Sequence, residues 1–343
     1  MAEDPVLHVP KRKRIPWIIT SYATLFIIAG FLCSFAMLLI LSRSILESHL
    51  FKSGNDLLIS LNGNIAKMTS SLVMLIIANI LGLFYTFLAE KFNKWEMHRT
   101  QAEFEDALAA KIFIFQFFNF FSGHVYLAFF KGRFVGYPGH YTTFQGYRME
   151  ECPPGGCMID LTQSVFVFLF AQMILGNLKE LFLTKVMTWW HKRTVVKLHK
   201  ERVLEQWEMD YGLLQWNGLL YEYLEIVIQF CFLTMFSVAF PPAPLLIMIN
   251  NWIEIRLDAK KFLFYYQRPI PERVKDNGIF LTILTWIVHI AVLFHAALIA
   301  FSSDFLPRLI YYFTATDSNS SYLEFILAYS PQKYVNETGT PCR

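Results

Sequence analysis

The chain has 343 residues, of which 55% are hydrophobic and only 17% are charged, and its mean hydropathy is +0.38. Soluble domains carry about a quarter charged residues, so this composition excludes an ordinary soluble protein and predicts an all-α, polytopic membrane protein. The net charge of +3 is too small to indicate a nucleic-acid partner, and five cysteines are too few for a disulfide scaffold.

Apolar runs of roughly 20 residues are long enough to form membrane helices. The sequence contains seven such runs, at about 17–42, 66–90, 112–130, 160–189, 217–240, 244–266 and 279–301. They divide the chain into a basic N-terminal segment (1–16), a seven-span transmembrane domain (17–301) and a tail (302–343). No cleavable signal peptide is expected, because the first apolar run is too long for one.

The distribution of Lys and Arg predicts the orientation. Segments 1–16, 91–111, 190–216 and 267–278 hold twice as many of these residues as the three alternate segments. The positive-inside rule therefore places the N-terminus in the cytoplasm and the tail outside. Two glycosylation sequons in the tail, at Asn319 and Asn336, agree with a lumenal or extracellular tail. The membrane itself would be the plasma membrane or the endoplasmic reticulum.

The external 131–159 segment contains Cys152 and Cys157, separated by Pro-Pro-Gly-Gly. A turn of this kind in an oxidising compartment favours a local disulfide. A metal site is the alternative, although no His or Cys lies nearby to complete it. Cys342 is left without a partner in the external segments.

Acidic side chains interrupt three neighbouring apolar runs, although an ionised carboxylate inside a membrane costs at least a few kcal/mol. Spacings of three or four residues place the polar groups of each run on one helix face. At ~1.5 Å per residue, all five acids reach overlapping depths in the inner half of the membrane. The groups are Asn177 and Glu180, then Glu222 and Glu225, then Asn250, Glu254 and Asp258.

Five carboxylates in one layer require protonation or a counter-charge. Ca²⁺ binds six to eight carboxylate and carbonyl oxygens, which this layer could supply for one ion, or for two ions that share carboxylates. The absence of His and Cys from the layer disfavours zinc and copper. Two alternatives stay open: a solvated helix end in which Lys261 pairs with Asp258, and a proton-relay transporter.

Several motifs resemble the anoctamin family in their order and spacing: NNWIEIRLDAKKF at 250–262, EYLEIVIQF at 222–230, AFFKGRFVGYPG at 128–139, RMEECPPGGC at 148–157 and SSDFLPRLIYY at 302–312. The resemblance covers almost the whole chain. It implies a piece similar to the third through ninth membrane helices of an anoctamin, without the large cytosolic domain or the last helix. The unpaired Cys342 fits a chain cut inside an external loop.

The resemblance implies a calcium-activated phospholipid scramblase or chloride channel that works as a homodimer. Most of the dimer contact in the family comes from the last helix, so a dimer of this chain alone is not expected. Position 176 is Gly where the family has the first of two Asn residues, which leaves Asn177 as a weak ligand and suggests Gly176 as a gating hinge. The implied ligands of two calcium ions are Glu180, Glu222, Glu225, Asn250, Glu254 and Asp258.

The family's permeation path implies a groove along the first five spans. Polar residues there could contact lipid headgroups or chloride, or could simply form hydrogen bonds between helices; they include Gln116, Asn119, Gln163 and Gln172. Channel-type members carry Lys where this chain has Gln116, which favours scrambling. An anion channel and an inactive truncated product are the alternatives. No nucleophile–base set or nucleotide-binding motif occurs, so an enzyme is not expected.

Overall fold

The structure is a computed structural model of the chain. It describes residues 10–52, 56–137, 140–144, 147–148, 151–152, 156–198, 205–216, 218–271, 273, 276–314, 321–326 and 335–336. Long helices dominate these residues, as the apolar runs predict, so the all-α fold class is confirmed.

Ten α-helices are present in the described part of the chain: α1 (Lys11–Lys52), α2 (Asp56–Trp95), α3 (Gln101–Phe129), α4 (Met158–Leu198), α5 (Gln206–Tyr211), α6 (Leu220–Phe236), α7 (Ala243–Phe264), α8 (Ile279–Ala297), α9 (Phe305–Thr314) and α10 (Tyr322–Ile326). A π-helical turn, Leu298–Ser302, continues α8. Two minimal antiparallel hairpins follow α3, formed by β1 (Gly136–Tyr137) with β2 (His140–Tyr141) and by β3 (Thr143–Phe144) with β4 (Tyr147–Arg148).

Within the described ranges, five helices are long and apolar enough to cross a membrane, within Arg12–Phe35, Met68–Trp95, Gln101–Phe129, Met158–His191 and Ile279–Ser302. The other two predicted spans form α6 and α7. The 17 residues of α6 extend only about 26 Å, and α7 carries five charged residues in its second half. Multiple membrane helices are therefore confirmed, whereas the total of seven spans stays a prediction.

Aromatic rings from α3, α4 and α6 build the centre of the helix packing. Phe232 on α6 lies 4.3 Å from Phe121 of α3 and 4.2 Å from Phe168 of α4, measured between ring centroids. His124 of α3 packs against the same ring. Because these buried rings fix α6 against α3 and α4, the acidic face of α6 is held next to the C-terminal half of α4, which we call its lower part.

The connection between α3 and α4 is held by two cross-links. Cys152 and Cys157 form the predicted disulfide. Lys131, after α3, makes a buried ion pair with Asp160 in the first turn of α4, where a carboxylate also interacts favourably with the helix dipole. Cys33 and Cys231 are free thiols within helices.

The basic connection after the fourth span is helical for much of its length. The helix of the fourth span continues through its basic flank to Leu198, and a six-residue helix, α5, follows. The apolar run ends near residue 189, but the residues that follow still favour a helix. The helix is therefore longer than its membrane-spanning part. Asn336 is exposed, whereas Asn319 and Cys342 lie outside the described residues.

Candidate metal centre

The five predicted acids lie on three helices that face one another: α4 carries Glu180, α6 carries Glu222 and Glu225, and α7 carries Glu254 and Asp258. The structure divides them into two groups. Glu180, Glu222 and Asp258 surround a lysine, and Glu225 and Glu254 lie among side-chain amides. We call these groups the lysine-bound triad and the amide-bound pair.

The lysine-bound triad is centred on Lys261 of α7. Its Nζ lies 2.9 Å from Glu180 Oε1, 2.6 Å from Glu222 Oε1 and 2.7 Å from Asp258 Oδ1. The lysine is only 6% exposed. The pairing of Lys261 with Asp258 is therefore confirmed, but Lys261 is buried and also joins α4 and α6, so it is not the solvated helix end of that alternative.

The triad has the dimensions of a cation site. One carboxylate oxygen from each of Glu180, Glu222 and Asp258 lies within 4.8 Å of the other two. Two oxygens that bind the same Ca²⁺ at 2.3–2.6 Å are at most about 5 Å apart. An all-oxygen donor set of carboxylates also suits calcium better than softer metals, so these residues fit a calcium ion.

The amide-bound pair is connected by hydrogen bonds between α4, α6 and α7. Asn177 donates to the side-chain oxygen of Asn250 at 3.0 Å, and Asn250 donates to Glu254 Oε2 at 3.0 Å. Glu225 Oε1 accepts from the amide of Gln229 at 3.4 Å. Asn250 and Glu254 are both buried, so water does little to solvate this part of the acid layer.

Gly176 faces this pair. A Cβ atom placed on Gly176 would lie 3.6 Å from Glu225 Oε1, which is ordinary van der Waals contact. A side chain at this position would therefore begin beside the acid layer. The helix α4 is continuous through Gly176.

Charge is not balanced in the layer. Within the described ranges, no Lys, Arg or His nitrogen lies within ion-pair distance of Glu225 or Glu254, and Lys261 is the cation that contacts the other three acids. Arg256 does not compensate them, because its guanidinium lies over the ring of Trp252, 5.4 Å from the centroid. The Lys261 ammonium group thus contacts three of the five carboxylates and leaves the other two without a cation in the described ranges.

A small cavity adjoins the amide-bound pair. Its volume is about 30 Å³, and its polar lining comes from Gln172, Glu225, Gln229 and Asn250. The buried Oε1 of Gln229 has no hydrogen-bond partner among the described residues. The other seven lining residues are apolar, so this is a mainly apolar cavity with one polar side next to the amide-bound pair.

The predicted groove residues have varied environments. The buried amide of Asn119 donates to the Ala78 carbonyl at 2.8 Å, which ties α3 to α2. Gln172 accepts from Asn79 of α2 at 3.4 Å. Gln116 is half-buried, and the buried Oε1 of Gln163 has no partner in the described part of the chain. Hydrogen bonding between helices therefore accounts for Asn119.

The sequence did not predict the contacts that two residues of the site make. Gln229 lies four residues after Glu225, and this spacing could have indicated its contact. Lys261 was expected to contact Asp258 alone. Its contacts with Glu180 and Glu222 depend on how α4, α6 and α7 pack, which no spacing within α7 reveals.

Comparison with known proteins identifies the family of the chain. The family model described as "Anoctamin: Calcium-activated chloride channel" matches residues 2–336. Anoctamin-7 from Homo sapiens is 43% identical over 342 residues, which cover 98% of this chain and 37% of that protein. Anoctamin-5 from Homo sapiens is 38% identical over 318 residues, which cover 89% of this chain and 34% of that protein.

A third relative, anoctamin-3 from Mus musculus, is 45% identical over 239 residues, which cover 69% of this chain and 24% of that protein. The chain thus spans about a third of the length of the curated anoctamins that it matches along most of its length. With the family model matching nearly all of the sequence, the chain belongs to the anoctamin family.

Proposed function

We propose that the chain contributes a calcium-gated unit that moves phospholipids across a membrane. The observation that carries this proposal is the acid layer, in which five carboxylates from α4, α6 and α7 converge and Lys261 contacts three of them. Family membership adds support, because the matching family model is described as calcium-activated.

The residues that would hold calcium are those of the acid layer, with room for two ions. Asn177 would be a weak ligand, because the usual ligand in the family is the first of two Asn residues, the position that Gly176 occupies here. The bound ions would supply the positive charge that neutralises the carboxylates. The other proposed ligands are Glu180, Glu222, Glu225, Asn250, Glu254 and Asp258.

In the proposed gating motion, the lower part of α4 closes on α6 and α7. Charge repulsion among the acids opposes this closure, and a bound cation would remove the repulsion. Gating requires that the cation stabilise the closed arrangement more than an arrangement in which α4 stands away from α6 and α7. Gly176 would serve as the hinge, because Gly costs about 1 kcal/mol of helix propensity relative to Ala. Gln172, which bonds Asn79 of α2, precedes the hinge and would stay in place, while the groove beside the moving part of α4 would open.

Lipid transport rather than ion conduction is favoured by the groove side chains. Gln116, a neutral side chain on α3, stands where the channel-type members of the family carry Lys. Neutral polar groups such as Gln116, Gln163 and Gln172 can accompany a lipid headgroup while its acyl chains stay in the bilayer. We infer no covalent catalysis.

The proposed orientation follows the charge distribution: a cytoplasmic N-terminus, an external tail glycosylated at Asn319 and Asn336, and a location in the plasma membrane or the endoplasmic reticulum. With the acid layer in the inner half of the membrane, calcium would enter from the cytosol. We do not propose that this chain alone forms the family's homodimer.

A liposome assay tests the proposal. The purified chain is reconstituted with a fluorescent phospholipid, and scrambling is followed with and without micromolar Ca²⁺. We expect calcium-dependent scrambling that Glu254→Gln abolishes. Glu105→Gln is the matched control, because Glu105 is exposed at the start of α3 and accepts a hydrogen bond only from the nearby Gln101 in the described contacts. Calcium-independent scrambling, or full activity of Glu254→Gln, would contradict the mechanism.

A calcium-activated anion channel is the second candidate, and the description of the family model favours it. Patch-clamp recording beside the lipid assay separates the two functions. Calcium-activated chloride current without lipid transport would select the channel. Calcium binding without either activity would indicate an inactive or regulatory product.

A further inference from the structure

We propose that Lys261 is a tethered counter-ion that competes with one of the calcium ions for the lysine-bound triad. The inference rests on the proposed function, since it concerns how the same acid layer is regulated. The chain would then set its own calcium threshold through a residue that is not a metal ligand.

The geometry makes the two cations mutually exclusive. The Lys261 ammonium group contacts Glu180, Glu222 and Asp258 at 2.6–2.9 Å, and an ammonium group has three hydrogens to donate. Calcium binds carboxylate oxygens at 2.3–2.6 Å. An ion that bound the same three oxygens would therefore occupy nearly the position of Nζ, and the ammonium would have to leave first.

Because Lys261 is buried, its contact with the lysine-bound triad matters more than a surface ion pair would. An exposed ion pair contributes at most about 1 kcal/mol, but Lys261 is 6% exposed and its three partners come from α4, α6 and α7. Removing one partner from a buried pair leaves an uncompensated charge. The ammonium and the carboxylates therefore hold each other in place until another cation takes over.

The amide-bound pair holds no cation that an incoming ion would have to displace, in the described part of the chain. Glu225 and Glu254 have no cation within ion-pair distance in the described part of the chain, and Asn250 bonds Glu254 directly. A first ion can bind here without moving Lys261. A second ion at the lysine-bound triad must displace Nζ, which the flexible four-carbon stem of lysine permits. Calcium binding should accordingly proceed in two steps of unequal affinity.

Lys261→Met tests the competition, because Met keeps the unbranched side chain and removes the charge. Calcium isotherms of the detergent-solubilised chain are measured by titration calorimetry. We expect the weaker step to become at least about fivefold tighter, the low end of ordinary coupling between two ligands. Lys260→Met is the matched control, because Lys260 is the exposed neighbour, and it should leave both steps unchanged.

Lys261→Arg keeps a charge at the same position and tests the inference if the Met variant does not fold. The Arg variant should bind the second ion no more tightly than wild type; tightening by fivefold or more would overturn the competition. A wild-type chain that binds calcium, with an unshifted or weakened second step in Lys261→Met, would also overturn it while sparing the proposed metal centre. No calcium binding in either the wild type or Lys261→Met would refute both.

Discussion

The side-chain amide of Asn177 on α4 donates a 3.0 Å hydrogen bond to the side-chain oxygen of Asn250 on α7. Asn250 in turn donates to Glu254 at 3.0 Å. A continuous chain of contacts therefore runs from α4 to a buried carboxylate on α7. Any movement of the lower part of α4 changes the surroundings of that carboxylate, so the acid layer and the position of α4 are coupled.

Gly176→Asn should strengthen calcium binding. Its side chain would begin 3.6 Å from Glu225 Oε1 and add an amide oxygen to the layer. A contact of about 1 kcal/mol corresponds to roughly fivefold in affinity, and calorimetry measures that change. Gly176→Ala is the control: it should raise the melting temperature through helix propensity without tightening calcium binding. Equal tightening by Ala and Asn would contradict the ligand explanation.

Gln116→Lys should shift the activity from lipid toward anion. Gln116 is half-buried on α3, and a fixed positive charge in a permeation path raises the local anion concentration by about tenfold or more. We expect a larger chloride current in patch-clamp recordings and slower lipid scrambling in liposomes. Gln101→Lys, at the exposed start of the same helix, should change neither. A Gln116→Lys variant with unaltered ratio of lipid to anion transport would argue against a shared groove.

Cys152→Ser should lower the stability of the α3–α4 connection. The disulfide to Cys157 closes a loop with a sequence separation of 5, for which the chain-entropy estimate is about 2 kcal/mol. Melting curves under non-reducing conditions measure the loss. Cys33→Ser serves as the control, because Cys33 is a free thiol. If reductant lowers the melting temperature of Cys152→Ser as much as that of the wild type, the disulfide is not the cause.

Acid should weaken the junction between α2 and α3 through His98. Its Nδ1 faces the guanidinium of Arg14 at 3.1 Å, and its Nε2 lies 3.1 Å from Glu96 Oε2. Burial lowers the pKa of His98 below its ordinary value of 6.5, more than Glu96 raises it. Since a depressed histidine pKa favours the neutral ring in the folded state, the stabilisation is present above pH 6.5 and is lost as the pH falls below it.

His98→Gln removes this titration. Melting temperatures measured from pH 7.5 to pH 5.5 should fall more steeply for the wild type than for the variant. Parallel curves for the two proteins would show that another group is responsible for any acid sensitivity.

The sequence predicts the helices better than it predicts the contacts between them. Apolar runs located the long helices of the described part of the chain, because a membrane span must satisfy its backbone internally. Hydropathy reports the span and not the whole helix, however, and so α1 continues to Lys52 and α2 begins at Asp56, beyond the predicted limits of both runs. The polar flanks extend these helices without contributing to the hydropathy signal.

Within the acid layer, spacing predicted what lies on one helix. Asp258 and Glu254 share a face of α7 because four residues separate them, and Lys261 follows Asp258 by three. The contacts of Lys261 with Glu180 and Glu222 could not be predicted in this way. They depend on the rotation and depth of α4 and α6 relative to α7. The aromatic packing around Phe232 fixes α6 against α3 and α4, which is a tertiary contact that spacing within one helix does not report.

The central claim is that the acid layer of α4, α6 and α7 binds calcium, and equilibrium binding of radioactive calcium to the purified, detergent-solubilised chain measures this directly. We predict saturable binding that falls at least about tenfold in affinity in Glu254→Gln, a loss of about 1.4 kcal/mol, and is unchanged in Glu105→Gln. Absence of saturable binding in the wild type, or equal binding by Glu254→Gln, would contradict the account.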